Sequence, residues 1–429
     1  MRDCGPHRLG KGTGSGRLGG RADAEVNHMP DDRPKPAADL GEALATLLRS
    51  TELLPASELR AMVDIAGQLL GATSARMFVA DYSLTSLQEL GDDGPTGPRQ
   101  LVDGTLVGRA LISAEIVVSG DETSTVLVPL SEGSERLGVL ELTHLAWTDE
   151  HRSLVDPVVR ILVLLLISKR RYTDVVLRSR RSEPLSAAAE MQWDLLPPLT
   201  CSTGSVSVSG ILEPAYSIGG DSFDYALNPG GLDFAIIDAM GHGLPAVLLS
   251  VSAINSLRNA RREGADLETA YMNTGAVLEA QFRDARFATA QIGSLTLESG
   301  DLSWINAGHP LPLLVRDGAF VGELQCAPSM PMGLGGKVNE IATEHLQSGD
   351  RVLFYTDGVV ENRAPDGTQF GVDRLADLLV RATLDGVFPA ETVRRLSALI
   401  MAYNGAGLTD DATLLVIDYH GPPGARPAG

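Results

Sequence analysis

Cysteine is almost missing from this chain. Cys4, Cys201 and Cys326 are its only three in 429 residues, and their scatter excludes a disulfide framework and a cysteine-based metal site. A reducing, cytoplasmic setting is therefore expected. Positive charge is also short, since 35 Lys and Arg against 55 Asp and Glu leave a net charge of −20. Such a balance argues against nucleic acid as partner, because phosphate backbones reward basic surfaces. Long hydrophobic runs are missing as well. Val158 to Ile167 is almost continuously apolar, but a segment of that length cannot cross a bilayer, and the amino-terminal stretch has no apolar core of a signal peptide. With 44% hydrophobic and 21% charged residues, the composition suits a soluble globular protein long enough for two domains and excludes a fibre.

Residues 1–38 are rich in Gly with interspersed Arg and Pro, and read as a disordered leader. Gly10-Lys11-Gly12-Thr13 lacks the spacing and the strand-to-helix setting of a phosphate loop. Over 39–148 the pattern becomes that of an α/β module. Leu59, Met62, Val63, Ala66, Leu69 and Leu70 recur at helical spacing, while Ala75 to Ala80, Val126 to Leu130 and Gly138 to Leu142 read as strands. Asp92-Asp93-Gly94-Pro95 and Ser131-Glu132-Gly133 supply turns. In its order of elements the module resembles a GAF-type sensory domain, which implies a small organic ligand or a dimerisation role.

A connecting helix is expected over 149–183, with Leu154, Ile161 and Val175 on one heptad position and Val158, Leu165 and Tyr172 on the other. That pattern predicts a two-stranded coiled coil and a homodimer, with Asp156-Pro157 marking a kink or the true start. Lys169, Arg170, Arg171, Arg178, Arg180 and Arg181 read as a solvated face in preference to a lipid contact. A second, short helix lies in 184–199, between Pro184 and the Pro197-Pro198 pair. Both ends are broken by proline, so this helix can move as a unit.

The rest of the chain is organised around Gly219 to Gly243. Asn228-Pro229-Gly230-Gly231 is a strong turn signal and Leu232 to Ile237 a short apolar run, so the stretch reads as a hairpin. It carries Asp221 and Asp224 on one arm and Asp238 at the end of the other. Two further strands share this character: Val352 to Thr356 runs into Asp357-Gly358, and Asp410-Asp411 stands before Ala412 to Ile417. Carboxylates are seldom buried unless paired or bound to metal. If these strand ends converge, like charges meet without a cation and raise one another's pKa. Bound metal resolves the repulsion, and an all-oxygen set suits Mg²⁺ or Mn²⁺. His242 and His309, in Gly-flanked turns, read as loop-shaping groups, as do Asn306 and Met332. The helix after Gly243 is expected to pack on the sheet through Leu244, Val247, Leu248, Val251 and Ile254.

GGDSFD, DAMGHG, NAGHP, PMGL, SGDRVLFYTDGVVE and DDATLLV, in that order, resemble the bacterial branch of the PP2C-type protein phosphatases, in particular the sporulation stage II protein E and stress-regulator group. The resemblance implies an α+β fold over 200–420, an α-β-β-α sandwich of antiparallel sheets, followed by a tail over 421–429. It also implies two Mn²⁺ or Mg²⁺ ions and hydrolysis of phosphoserine or phosphothreonine, with a phosphorylated anti-sigma-factor antagonist as substrate. Carried over by motif, Asp221, Asp238, Asp357 and Asp410 are catalytic and metal-holding, with Asp238 bridging and the Ala239 carbonyl completing one sphere. Asp224, Asp411, Gly220 and His242 stand behind them, and the short helix over 184–199 is a switch. No arginine for the phosphate is evident. Two other readings are a catalytically weak regulator that uses the fold to bind a partner, and a small-ligand sensor with the phosphatase part as scaffold.

Overall fold

The computed structural model describes residues 40–52, 55, 58–120, 124–132, 135–144, 147–216, 219–282, 285–404, 408, 410–422 and 424. The leader expected over 1–38 and most of the tail expected over 421–429 lie outside them.

The amino-terminal module opens with α1 (Leu40–Glu52) and α2 (Leu59–Leu69), and the helical spacing of Leu59, Met62, Val63 and Ala66 becomes the buried stripe of α2. Then follow β1 (Ser74–Ala80), β2 (Ser86–Leu90), β3 (Pro95–Leu101), α3 (Leu106–Ser113), β4 (Val117–Ser119), β5 (Ser124–Glu132) and β6 (Glu135–His144). They make one antiparallel sheet in the order β3-β2-β1-β6-β5-β4. Strand β3 has the sequence PTGPRQL and lies at the sheet edge, where prolines are tolerated. Its composition hides it from pattern reading.

The linker departs from expectation. Helix α4 (Asp149–Lys169) runs through Pro157, ends in a 3₁₀ turn at Arg170–Tyr172, and is followed by a separate α5 (Val175–Arg180). Thr173, extended at φ −150°, interrupts the helix. Leu154, Val158, Val175 and Val176 are buried in the module's own core, against α2 and the sheet, and Ile161 and Leu165 pack on it half-buried. Of the six heptad residues, Leu154, Val158 and Val175 are thus buried and Ile161 and Leu165 half-buried within one chain, whereas Tyr172 is exposed, and the single helix expected over 149–183 is broken into α4 and α5.

Helix α6 (Ala187–Leu195) starts at Ser186, whose hydroxyl accepts from the Ala189 amide at 3.1 Å, a normal N-cap. Beyond it come β7 (Thr200–Ser202), β8 (Val206–Glu213), β9 (Ser222–Asn228), β10 (Gly231–Ala239), α7 (Leu244–Arg262), α8 (Leu267–Gln281), β11 (Ala288–Thr296) and β12 (Asp301–Ala307). The chain closes with β13 (Leu313–Arg316), β14 (Ala319–Glu323), β15 (Ala342–His345), β16 (Arg351–Tyr355), α9 (Asp357–Glu361), α10 (Val372–Leu384), α11 (Pro389–Asn404) and β17 (Ala412–Tyr419). Two antiparallel sheets result, β15-β12-β11-β10-β9 and β14-β13-β16-β17-β8-β7. Between them lie Phe223, Phe234, Trp304, Phe354 and Leu415, each contributing roughly 1.5–3 kcal/mol through burial. Helices α7 and α8 cover the first sheet, and α10 and α11 the second. This is the expected α-β-β-α sandwich.

The hairpin forms where the turn signal places it. Gly231 pairs with Asn228, so Pro229 and Gly230 alone make the turn, with Gly230 at φ +86°, a value that favours glycine. The packing face of α7 differs from expectation: Val247 and Ile254 are buried, whereas Leu244 and Leu248 are 45% and 42% exposed.

Candidate active site

Antiparallel register brings the acids together. In the first sheet Ile237 pairs with Ser222, which sets the end of β10, and so Asp238, beside Asp221. In the second, Tyr355 pairs with Leu414, which sets Asp357 beside Asp410 and Asp411. Both sheets present these ends at one edge of the sandwich.

Electrostatics records the convergence. Burial and then the charges of Asp357, Asp410 and Asp411 push Asp238 up to about 7. Burial, Asp238 and Asp411 hold Asp221 well above the usual carboxylate range. Asp357 is raised by burial, Glu361 and Asp410. Asp411 is raised chiefly by burial, against the pull of the Gly219 and Asp221 amides. No cation appears among the influences on these four groups.

The acids nevertheless differ in posture. Asp357 and Asp410 are exposed and Asp238 half-exposed. Asp221 is buried, and its Oδ2 accepts from the Thr356 hydroxyl at 2.6 Å and the Thr413 hydroxyl at 2.8 Å. The two threonines are themselves joined, the Thr413 amide donating to Thr356 Oγ1 at 2.9 Å. They pin the hairpin to β16 and β17 and were not singled out in the sequence; the signal was a threonine beside each acidic strand end. Asp411 accepts from the Gly219 amide at 2.8 and 2.9 Å and from the Asp221 amide at 3.3 Å, which fixes the glycine loop.

Close approach explains the glycines here. A Cβ at Gly220 would lie 2.3 Å from the Ala239 carbonyl oxygen, and one at Gly219 2.5 Å from Asp411 Oδ2. Ser250, buried on α7, donates to the Gly220 carbonyl, another contact the sequence did not advertise.

Asp224 does not belong to this cluster. It sits on β9 opposite Ala235 and is neutralised by Arg258 at 2.7 Å and Arg261 at 3.0 Å. Arg258 also donates to the Leu195 carbonyl at 2.7 Å, so Asp224 ties α7 to the end of α6. His242 is exposed at the cleft. His309 is buried, with Nδ1 at 2.9 Å from Thr289 Oγ1, and its backbone is clasped by Asn306 through bonds of 2.7 and 3.0 Å. Burial lowers its pKa to about 3, so the ring is neutral. Met332 pairs by backbone with Ala288.

Helix α6 reaches the site directly. The Gln192 amide donates to the Asp221 carbonyl, and Trp193 Nε1 donates to the Ala215 carbonyl at 2.8 Å. Trp193 also meets Tyr82 of the amino-terminal module, ring centroids 4.4 Å apart. A cleft of about 490 Å³ opens beside the acids, lined by Ser186, Ala187, His242, Leu244, Asp410 and Asp411 among others. No Lys or Arg is among its described lining residues.

As the side chains stand, no three His, Cys, Asp or Glu among the described residues are grouped tightly enough to hold an ion. The donor chemistry still fits a hard divalent cation: oxygen ligands only, raised carboxylate pKa values, and no basic side chain to neutralise them.

The α-β-β-α sandwich and the acidic edge are what the resemblance to PP2C-type phosphatases implies. The model of the family described as Stage II sporulation protein E (SpoIIE) matches residues 228–420. Phosphoserine phosphatase RsbU of Bacillus subtilis (strain 168) is 22% identical over 236 residues, 54% of this chain and 69% of that protein. Phosphoserine phosphatase RsbP of the same organism is 25% identical over 165 residues, covering 37% of this chain and 41% of the relative. Among solved structures, the SiaA-PP2C domain of Pseudomonas aeruginosa is similar at 21% identity and a TM-score of 0.46, over 54% of this chain and 94% of that one.

Proposed function

We propose that this chain is a metal-dependent protein phosphatase that hydrolyses phosphoserine or phosphothreonine on a regulatory protein of the anti-sigma-factor-antagonist type. The observation that carries the reading is the convergence of Asp238, Asp357, Asp410 and Asp411 at one sandwich edge, with no cation to offset them. Asp238, Asp357, Asp410 and the Ala239 carbonyl would hold two Mn²⁺ or Mg²⁺ ions. When bound, such ions supply the positive charge that activates water near neutral pH and neutralises phosphoryl oxygens. Asp221 and Asp411 act from behind: one is gripped by Thr356 and Thr413, the other grips the Gly219 and Asp221 amides.

Control by the amino-terminal module, read as a ligand-binding sensor, is part of the same proposal. Its Tyr82 touches Trp193 on α6, and the neighbouring Gln192 holds the Asp221 carbonyl. A shift of α6 therefore moves the loop that carries the acids. The names of RsbU and RsbP as phosphoserine phosphatases support the reaction class. The test is hydrolysis of 4-nitrophenyl phosphate with Mn²⁺ before and after chelation. Turnover that appears with Mn²⁺ and vanishes with chelator is expected; equal turnover in both overturns the reading.

A further inference from the structure

Leu244 and Leu248 have no packing role that accounts for them. The sequence places both on the apolar side of α7, yet they are 45% and 42% exposed, while Ala246, Val247 and Leu249 are fully buried. They stand four residues apart, one above the other on the helix surface. Met240, in the turn just before α7, is 49% exposed. In a chain of net charge −20, Leu244 sits beside the acidic edge, with Leu248 one helical turn further along α7. Leu244 lines the same cleft as Asp410 and Asp411, together with Ala187, Ala188, Pro214 and the half-buried Leu408.

The cleft thus combines the carboxylates of Asp410 and Asp411 with the apolar side chains of Leu244, Leu408, Ala187, Ala188 and Pro214, and its described lining carries no Lys or Arg to attract further acidic groups on a substrate. Its volume of about 490 Å³ lies within the range of pockets that enclose a ligand of modest size. Leu244, Leu408 and the start of α6 lie within reach of the residues flanking a phosphoserine whose phosphoryl group meets the acids.

Resting on the phosphatase reading above, we infer that the cleft selects phosphoserine flanked by a bulky apolar residue, with Leu244 and Leu248 as specificity-determining side chains. Filling an apolar subsite with one aliphatic side chain changes kcat/KM on the order of tenfold to a hundredfold. Acidic flanks are disfavoured, because their charge would be desolvated against leucines beside Asp410 and Asp411.

The test uses the full chain with Mn²⁺ and three heptapeptides that differ only in the residues flanking phosphoserine, which are Leu, Ser or Glu, with 4-nitrophenyl phosphate as reference. At least tenfold higher kcat/KM for the Leu peptide than for the Ser peptide is expected, with the Glu peptide lowest. In L244S/L248S the Leu preference should fall below twofold, through a higher KM for the Leu peptide with kcat largely retained. Circular dichroism and the melting temperature check the fold, and L244N/L248N serves as a second variant. Wild type that turns over 4-nitrophenyl phosphate but treats the three peptides alike overturns this inference and leaves the phosphatase reading standing, as does an intact preference in both double variants. Failure to hydrolyse any of the four substrates overturns both.

Discussion

At the residue scale the acidic edge divides into groups open to solvent and groups that hold the loops in place. Asp357 is exposed at the start of α9, where its carboxylate accepts from the backbone amides of Gly358 and of Asp357 itself. Asp221, by contrast, is buried under two threonine hydroxyls. Asp357→Asn should therefore abolish Mn²⁺-dependent hydrolysis while moving stability by no more than about 0.5 kcal/mol, the usual range for exposed positions. Turnover and urea denaturation on the same preparation check both halves. Wild-type turnover with an unchanged metal requirement would remove Asp357 from the site.

At the element scale α6 is the piece that belongs to both halves of the chain. Prolines bound it, Arg181 pairs with Glu190 on it, and Gln192 and Trp193 reach the carbonyls of Asp221 and Ala215. Gln192 is fully buried, and its Oε1 has no partner among the described atoms. Its place there is thus specified by one donated bond to the Asp221 carbonyl. Gln192→Ala, and a chain beginning at Thr200, should each bind Mn²⁺ at least tenfold more weakly than a chain beginning at Ser182. Titration calorimetry reads the affinity, and equal values for all three would make α6 ordinary packing. The same scale shows the limit of heptad reading: α4 and α5 carry apolar residues at coiled-coil spacing, but their neighbour is the module's own sheet.

At the scale of the whole molecule, the amino-terminal module and the sandwich meet through buried polar groups. Arg136 of β6 pairs with Glu391 of α11 at 3.3 Å, both nearly buried. Glu213, at the end of β8, accepts from the Ala215 amide at 3.1 Å and the Ser397 hydroxyl at 3.2 Å. Burial pushes it from the usual 4.5 up to about 7, against these bonds and that of Ser83, with the Asp81 charge adding to the rise. The folded state then holds a proton that the unfolded state has lost between those two values. Stability should fall as pH rises through that window, by roughly 3 kcal/mol for a shift of this size. Glu213→Gln should remove that share of the dependence and leave the part due to the raised Asp221 and Asp238; urea denaturation at pH 5 and pH 8 measures it, and an unchanged slope would mean that Glu213 ionises freely. Among the described residues no helix is long and apolar enough to cross a membrane.

The sequence by itself determined the hairpin, the acidic strand ends and the family motifs, because these depend on near neighbours: a Pro-Gly turn, a short apolar run, an aspartate at its end. It also determined α2, whose stripe is a local period. Only the tertiary structure decided which acids work together. Asp224 and Asp221 are three residues apart on one arm, yet Arg258 and Arg261 neutralise the first while Thr356 and Thr413 hold the second, and all four partners come from elements distant in the chain. The same holds for α7, where a helical period marks Leu244 and Leu248 as apolar-face residues but cannot say whether the sheet extends far enough to cover them. Periodicity fixes which side chains share a face; what that face meets is set by the packing of the whole chain.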